Sequence, residues 1–376
     1  MSAPRELICF GEDWGRHPST AQYLVQQLLG AFRVIWINSL GWRAPRLSRH
    51  DLLRALGKVR SAARGLERPH PDLVVYTPLV IPWYRNAAVR RLNSLLLHRT
   101  IRGLARRHGF SRYSLMTTYP ATVDVFERMR DVRRIYYCAD DYASFPGLDT
   151  ELVCAHEARL LAAVDVVVTT SRELSAMKSA CHARVVNLPH GVDAEHFAKA
   201  ADPATRVPED LARLPRPVIG FFGLLAEWVD IRLIREVALA RPEWSIVLIG
   251  NAATDVGPLR GLPNVHLLGP RPYASLPGYC RGFDVAIIPF VRNDLTERAN
   301  PIKLREYLAA GKPIVSTPLP EALRFGELVH AAGSADEFVR EIEHGLVDDP
   351  ALAARRMSSV RNQTWAARAA ELAEVL

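Results

Sequence analysis

The chain has 376 residues, of which 49% are hydrophobic, and this is enough for two domains with separate cores. Its apolar runs fall short of the ~20 residues that a membrane span needs. The first residues lead directly into a strand, so we expect no signal peptide. Five scattered cysteines without a C-x-x-C pair favour a reducing cytosol over a disulfide framework. The net charge is +8.

The N-terminal sequence has the pattern that opens a doubly wound sheet. Residues 7–10 form a short apolar run, a helix with Tyr23, Leu24 and Leu28 on its buried face follows, and residues 34–37 form a second apolar run. Strand, loop, helix and strand in this order predict an α/β domain. The first loop is either a plain solvated surface or a place for ligand contacts.

Two groups of basic residues lie in residues 43–107, on either side of the apolar and aromatic segment TPLVIPWY at residues 77–84. Apolar residues with Trp, Tyr and a cationic face are typical of a surface that lies on anionic lipid. Solvated Arg-rich helices and nucleic-acid binding by phosphate attraction are the alternatives, although no nucleic-acid motif occurs. We therefore favour a membrane surface. The basic residues are Arg43, Arg46, Arg49, Arg54, Lys58, Arg60, Arg64 and Arg68, then Arg85, Arg90, Arg91, Arg99, Arg102, Arg106 and Arg107.

Two adjacent carboxylates follow a predicted strand at residues 134–138. Asp140 and Asp141 stand just past the carboxyl end of this strand, where α/β sheets place ligands. Because adjacent side chains point in different directions, one carboxylate can face the ligand while the other caps the following turn. Both carboxylates are therefore candidates for contact with a ligand.

The alternation of strands and helices continues in the second half of the chain. Residues 198–216 are rich in Ala, Pro and charged residues without apolar periodicity, which predicts a linker. A second sheet begins at residues 218–223, with Gly223 at its first strand end. Further strands are predicted at residues 245–250, 265–268 and 285–289.

The most informative stretch is NPIKLREYLAAGKPIV at residues 300–315. Asn300 is placed to cap a helix whose first residue is Pro301. Lys303 and Glu306 are three residues apart, so they project together near the helix N-terminus, where free N–H groups and partial positive charge favour phosphate. The simpler alternative is a surface ion pair that contributes tenths of a kcal/mol.

This stretch resembles the donor-site segment of GT-B glycosyltransferases of the group 1 (family four) type, in which the form is N/P-x-K-x-x-E-Y-x-A-x-G-K-P-V-V. YYCADDYASF at residues 136–145 and GPRPYASLP at residues 269–277 are similar to other segments of that family. One position departs from it, because Arg298 stands where many relatives have a first Glu and Glu297 is one place away. The nearer resemblance is to the bacterial exopolysaccharide and teichuronic-acid branch.

The resemblance implies a GT-B fold: two Rossmann-like, doubly wound α/β domains that face a cleft, with a C-terminal helix crossing back to the first domain. Residues 1–197, with a helix at about 360–376, would form the acceptor domain, residues 198–216 the linker and residues 217–359 the nucleotide-sugar domain. The catalytic role would fall to Asp140 first and to Asp141 second. The residues implied in donor binding are Gly223, Tyr273, Asn300, Lys303 and Glu306, and those implied in acceptor binding are Asp13, Trp14, Arg16 and His17.

The implied activity is the transfer of a sugar from a nucleoside-diphosphate sugar to a lipid-linked or growing polysaccharide. We expect no cofactor, because the nucleotide-sugar is a substrate, with UDP favoured over GDP. We expect no metal, since the sequence lacks a D-x-D motif and clusters with metal-ligand spacing. We expect no nucleic-acid partner, and a cytoplasmic protein that is peripheral on the inner membrane through residues 43–107. The alternatives are a nucleotide-sugar epimerase of the same fold and a non-catalytic nucleotide-sugar or membrane-binding assembly protein.

Overall fold

The chain folds into two compact units in a computed structural model that describes residues 5–16, 19–40 and 65–376. The first unit is Met1–Pro189 together with Arg368–Leu376, and the second is His190–Ala367. Each unit contains a sheet with helices against it, as the alternating sequence pattern predicts.

The described strands of the first unit form one sheet. They are β1 (Arg5–Phe10), β2 (Phe32–Ile37), β3 (Leu66–His70), β4 (Leu73–Tyr76), β5 (Tyr113–Thr117), β6 (Arg133–Cys138), β7 (Val166–Thr169) and β8 (Val185–Asn187). Their order is β3-β4-β2-β1-β5-β6-β7-β8, and every neighbouring pair is parallel except β3 with β4. The chain therefore winds outward in both directions from β1, which is the doubly wound arrangement.

The described helices of the first unit begin at residues suited to capping. They are α1 (Thr20–Leu28), α2 (Ala87–Arg107), α3 (Val123–Phe126), α4 (Thr150–Ala163) and α5 (Arg172–Ser179). Ser19, Asn86, Asp149 and Ser171 each accept a hydrogen bond from a backbone N–H of the first turn. The sheet and these helices bury a core that includes Trp36, Tyr136 and Phe126.

The second unit contains a smaller, entirely parallel sheet in the order β11-β10-β9-β12-β13-β14. Its strands are β9 (Val218–Phe222), β10 (Ser245–Ile249), β11 (Val265–Gly269), β12 (Val285–Ile288), β13 (Ile314–Ser316) and β14 (His330–Ala331). The remaining helices are α6 (Ala194–Ala198), α7 (Glu209–Ala212), α8 (Ile231–Ala240), α9 (Leu276–Gly282), α10 (Asp294–Arg298), α11 (Ile302–Ala309), α12 (Pro320–Leu323), α13 (Ala335–Leu346), α14 (Pro350–Val360) and α15 (Trp365–Val375).

The C-terminal helix α15 returns the chain to the first unit. Residues from Arg368 onward belong to that unit, and the Ser114 hydroxyl on β5 donates a hydrogen bond to the carbonyl of Leu376. Two doubly wound parallel sheets and this helix confirm the predicted fold class. Among the described residues, no helix is both long enough and apolar enough to cross a membrane.

The stretch predicted as a linker, residues 198–216, lies inside the second unit. It contains the single-turn helix α7, and Ala200 and Leu211 are buried in the core of that unit beside Phe197. Three anchors at irregular spacing produce no helical or strand periodicity, so the sequence pattern does not reveal them. The unit also extends past residue 359 to Ala367 and takes in all of α14.

Close packing at Gly220 on β9 yields a stability prediction. A Cβ added there would lie 2.3 Å from the ring of Phe283, which is 1% exposed and has no room to move. We expect Gly220→Ala to lower the free energy of unfolding by about 1–3 kcal/mol through overpacking, measured as a shift of the denaturant midpoint.

The matched control is Gly103→Ala in α2, where an added Cβ meets nothing within 4 Å. There alanine should raise the free energy of unfolding by about 0.5–1 kcal/mol, because glycine weakens a helix interior. Equal effects of the two substitutions would contradict the packing argument.

Candidate functional site

In the second unit, Lys303 and Glu306 lie together in the first turns of α11, as predicted. The Lys303 Nζ is 2.8 Å from a carboxylate oxygen of Glu306. Glu306 is only 5% exposed. Lys303 keeps 27% of its side chain exposed. The pair is therefore partly buried, unlike a flexible surface pair, and its cationic end remains open to a ligand.

The end of β9 lies directly beside this pair. The Lys303 Nζ is 4.9 Å from the centroid of the Phe222 ring, a cation–π distance. At the next residue, Gly223, an added Cβ would lie 3.4 Å from Lys303 Cε, and the backbone has φ +154°. The structure thus brings together three predicted donor residues: Gly223, Lys303 and Glu306.

Tyr307 is a residue of this site that sequence reasoning missed, because its spacing from Leu304 and Leu308 indicates only the buried face of the helix. Its hydroxyl accepts a hydrogen bond of 3.0 Å from the N–H of Phe222, and its ring packs edge-on against the Phe222 ring. Burial raises the pKa of Tyr307 well above its ordinary value. The hydroxyl on an otherwise apolar face was the available signal, since a buried hydroxyl needs a partner.

The structure places Asn300 differently from the prediction. It does not cap the helix, which begins at Ile302 with Pro301 in the cap position. Instead the Asn300 side-chain oxygen accepts a hydrogen bond from the guanidinium of Arg305, and Asn300 is 3% exposed. Arg305 also donates to Gln363 and lies 3.7 Å from Glu321. Asn300 is thus part of a buried polar network.

Tyr273 reaches the Lys303 region through a row of aromatic rings. Its ring stacks on His196 at 4.6 Å and meets Phe197 edge-on at 5.7 Å. Phe197 in turn stacks parallel to Phe222, with ring centroids 6.0 Å apart. This packing holds Tyr273 in a fixed position, two rings away from the end of β9.

In the first unit, the two adjacent carboxylates after β6 have different surroundings, as expected. Asp141 is 3% exposed and accepts a hydrogen bond of 2.7 Å from the Ser144 hydroxyl in the following turn. Asp140 is half-buried, and among the described residues no group donates a hydrogen bond to its carboxylate. Burial, with the nearby charges of Glu12 and Asp141, raises the pKa of Asp140 to about 6.

The first loop is held in place by contacts with Trp36 on β2 and with Ser39 just after that strand. The Asp13 carboxylate accepts hydrogen bonds from the hydroxyl and the N–H of Ser39, and it pairs with Arg16 at 3.5 Å. The Trp14 ring meets Trp36 edge-on at 4.9 Å. Arg16 is exposed. His17, the fourth predicted residue, lies outside the described residues.

Glu12 is the second residue that sequence reasoning missed. It follows β1, accepts a hydrogen bond of 3.0 Å from the Ser19 hydroxyl, and its charge contributes to the raised pKa of Asp140 and Tyr142. The strands β1 and β6 both flank β5, so Glu12 and Asp140 lie at the same edge of the sheet. The feature of the sequence that could have indicated Glu12 was its position just after a predicted strand.

The basic and aromatic region is described only in part, since residues 41–64 lie outside the described residues. On α2, Leu92 and Leu96 are 46% and 48% exposed, whereas Leu104 is buried. Trp83 is 61% exposed. These large apolar side chains are therefore in contact with solvent rather than with the core of the first unit.

Comparison with known proteins relates part of the second unit to a family. Residues 216–348 match the family model described as glycosyl transferases group 1. The matched residues all lie within the second unit. Lys303, Glu306, Tyr307 and Gly223 all lie inside the matched residues.

The chain is also similar to a curated protein. The chain is 30% identical over 202 residues to TuaH of Bacillus subtilis (strain 168), whose name assigns it to teichuronic acid biosynthesis as a glycosyltransferase. The match covers 50% of each protein, so the chain spans about half the length of this relative.

The structures share the whole fold. A sucrose-phosphate synthase from Thermosynechococcus elongatus has a TM-score of 0.72 at 14% identity, with 99% of this chain and 98% of that chain covered. An alpha,alpha-trehalose 6-phosphate synthase from Burkholderia multivorans has a TM-score of 0.70 at 13% identity, with 98% of each chain covered. At these identities the likeness shows the fold alone, and it confirms the GT-B fold.

Within the group 1 domain, the departing position is occupied by an ion pair. Arg298 lies at the end of α10 and pairs with Asp294 one turn earlier, at 3.0 Å. Glu297, the neighbouring acid, lies 3.3 Å from Arg292. The region thus carries a cation–anion pair at the place where many relatives are expected to carry a free acid.

The raised pKa of Asp140 predicts a pH-dependent stability. Its folded pKa of about 6 exceeds the ordinary value of 3.8, so the folded state holds the proton longer and stability falls as pH rises from about 4 to 6. Asp140→Asn removes this loss. We expect the variant to match the wild type near pH 4 and to exceed it by about 1–2 kcal/mol above pH 6, after discounting for solvent screening, in denaturation at several pH values.

Asp141→Asn is the matched control. Its carboxylate is engaged by Ser144, so we expect no stabilisation above pH 6. If Asp140→Asn brought no gain at any pH, the carboxylate of Asp140 would be hydrated rather than held in a low-dielectric site.

Proposed function

We propose that this chain is a glycosyltransferase that transfers a sugar from a nucleoside-diphosphate sugar to a hydroxyl of a lipid-linked or growing polysaccharide at the inner face of a membrane. The observation that carries the proposal is the convergence of Lys303, Glu306 and Gly223 at one end of the sheet in a group 1 domain. The name of the relative TuaH supports a cell-envelope polymer as the acceptor.

The proposed donor site uses the start of α11. Lys303 and the free N–H groups of the helix supply positive charge for the diphosphate, including the charge that develops on the leaving group. Glu306 accepts hydrogen bonds from the ribose diol, and Gly223 lets the backbone approach the phosphates. We favour a UDP-sugar. The site needs no metal ion, because Lys303 and the helix already provide the positive charge.

When the donor binds in this site, Lys303 exchanges the Glu306 carboxylate for the diphosphate of the donor. Lys303 is paired with Glu306 at 2.8 Å, and each is proposed to contact a different part of the donor. A diphosphate carries more charge than a carboxylate, so it competes for Lys303 and releases Glu306 toward the ribose. The cation–π contact with Phe222 remains available to hold the lysine in place.

The proposed catalytic group of the first unit is Asp140, with Asp141 held in a structural role by Ser144. A general base works best with a pKa near the working pH, and a pKa of about 6 leaves Asp140 ionised yet basic near pH 7. We propose that Asp140 takes the proton of the acceptor hydroxyl. Trp14 and Arg16, in the loop after β1, are proposed to contact the acceptor, together with Asp13 and His17.

A donor assay tests the proposal. The protein is incubated with UDP- and GDP-sugars while the release of nucleoside diphosphate and donor binding are measured. Removing a charge-assisted contact costs about 1.5–3 kcal/mol, so Lys303→Ala should weaken donor binding by about 10–100-fold. Lys199→Ala, at an exposed lysine of the same unit, is the control and should bind like the wild type.

The same assay separates the catalytic role from the donor site. Asp140→Asn should keep donor binding and lose the release of nucleoside diphosphate, whereas undiminished release would show that Asp140 is not the base. Failure of the wild type to bind any of these donors would overturn the glycosyltransferase proposal.

The proposed membrane surface lies on α2 and the segment before it. Asn93 holds this segment on the helix, because it accepts from the N–H of Ile81 and donates to its carbonyl. Leu79 and Trp83 of the segment are both 61% exposed. Leu92 and Leu96 are one helical turn apart, so they lie on one face of α2. Apolar residues with arginines on the same helix favour anionic lipid.

Vesicle sedimentation tests this surface. Burying a leucine contributes about 1.5–3 kcal/mol, so Leu92→Ser with Leu96→Ser should lower the affinity for vesicles containing phosphatidylglycerol by at least about tenfold. Leu239→Ser, at an exposed leucine of the second unit, is the matched control and should bind normally. Equal binding of all three proteins would refute a lipid contact through α2 while leaving the donor site untouched.

A further inference from the structure

A cluster of two histidines and one glutamate lies at the edge of the second unit's sheet. His330 begins β14, while Glu341 and His344 are three residues apart on α13 and so share one face of that helix. Among the described residues, these three side chains form a group able to hold a metal ion, with the ligand atoms within 4.8 Å of one another. Glu341 lies eleven residues after His330, and His344 lies three residues after Glu341. Because this spacing spans a strand and a helix, a search for local metal-binding motifs does not find it.

The two imidazoles converge on a single carboxylate oxygen. The Nδ1 atom of His330 lies 2.9 Å from Oε2 of Glu341, and the Nδ1 atom of His344 lies 3.4 Å from the same oxygen. Zinc bonds of about 2.0–2.2 Å at tetrahedral angles place two ligand atoms about 3.3–3.6 Å apart. The observed separations need only small side-chain shifts to reach this geometry.

We propose that His330, Glu341 and His344 bind a divalent transition-metal ion of the zinc class, with the fourth position taken by water. Two imidazole nitrogens and one carboxylate oxygen suit this class, whereas Mg²⁺ and Ca²⁺ prefer oxygen ligands alone. The side chains of His330 and Glu341 are mostly buried and that of His344 is 65% exposed. Two ligands are therefore held by the fold and the third is reachable from solvent.

A neighbouring glutamate shows that this arrangement is particular to Glu341. Glu343, two residues along the same helix, pairs with the guanidinium of Arg241. Glu341 has only the two imidazoles as partners among the described residues. A carboxylate whose partners are both potential metal ligands is free to bind a cation without breaking an arginine pair.

The ion would fasten a short edge strand to a helix. β14 consists of two residues and pairs only with β13, through His330 with Val315 and Ala331 with Ser316. β12 and β13 separate it from β9, whose end carries the proposed donor site. The ion would thus stabilise the fold of the second unit rather than take part in the transfer chemistry. The metal-site proposal is therefore independent of the proposed function.

Zinc titration of the full-length protein against a chromophoric chelator tests the proposal. We expect one high-affinity ion per chain, and a loss of affinity of more than about tenfold in His344→Ala and in Glu341→Gln, since even outer partners of metal ligands contribute tenfold or more. Glu343→Gln removes a carboxylate from the same helix and is the control, with unchanged affinity. Zinc should raise the melting temperature of the wild type and not that of His344→Ala.

His344 is exposed, so its substitution leaves the fold intact and the comparison interpretable. The absence of zinc binding by the wild type, or equal affinity in His344→Ala, would overturn the proposal. Cys154 and Cys181 are exposed thiols that also attract zinc. Binding that survives His344→Ala and disappears in Cys154→Ser/Cys181→Ser would assign the ion to the thiols and likewise overturn it.

Discussion

The candidate donor site depends on how the end of β9 is held against α11. The N–H of Phe222 is the last donor of a buried strand, and the Tyr307 hydroxyl accepts it at 3.0 Å. A buried N–H without an acceptor costs about 1–3 kcal/mol, so this bond fixes the strand end relative to the helix. The same helix carries Lys303 and Glu306, and the same strand leads into Gly223. One hydroxyl therefore sets the spacing of every donor group that we propose.

In the first unit, the Asp140 carboxylate lies where its surroundings disfavour the ionised form. Asp141 has the stabilising contact with Ser144, while Asp140 has burial and the charge of Glu12 against its ionised form. A carboxylate held in this way lowers stability at neutral pH and remains a stronger base than an ordinary aspartate. Local destabilisation of this kind is expected at functional sites, where consistency of the rest of the fold offsets it.

Sequence reasoning succeeded where the determining contacts are local. Two doubly wound sheets follow from the alternation of strands and helices, and the pairing of Lys303 with Glu306 follows from helical spacing alone. Sequence reasoning failed where a side chain's partner is distant in the chain. The Tyr307 hydroxyl, for example, accepts a hydrogen bond from Phe222, 85 residues earlier. Asn300 looked like a cap, but Pro301 takes the cap position and the Asn300 side chain accepts a hydrogen bond from Arg305. Residues 198–216 lack periodicity although they contain buried anchors.

The charge pattern of α2 bears on which force would hold the protein to a membrane. Several of its arginines are neutralised within the first unit, for example Arg90 by Asp124 and Arg102 by Asp131. In the described ranges no carboxylate pairs with Arg91 or Arg99, so these remain for anionic headgroups. At roughly 1 kcal/mol each, the unpaired arginines contribute less than exposed leucines at about 1.5–3 kcal/mol each. If the protein lies on a membrane through this surface, each exposed leucine would therefore contribute more to binding than each unpaired arginine.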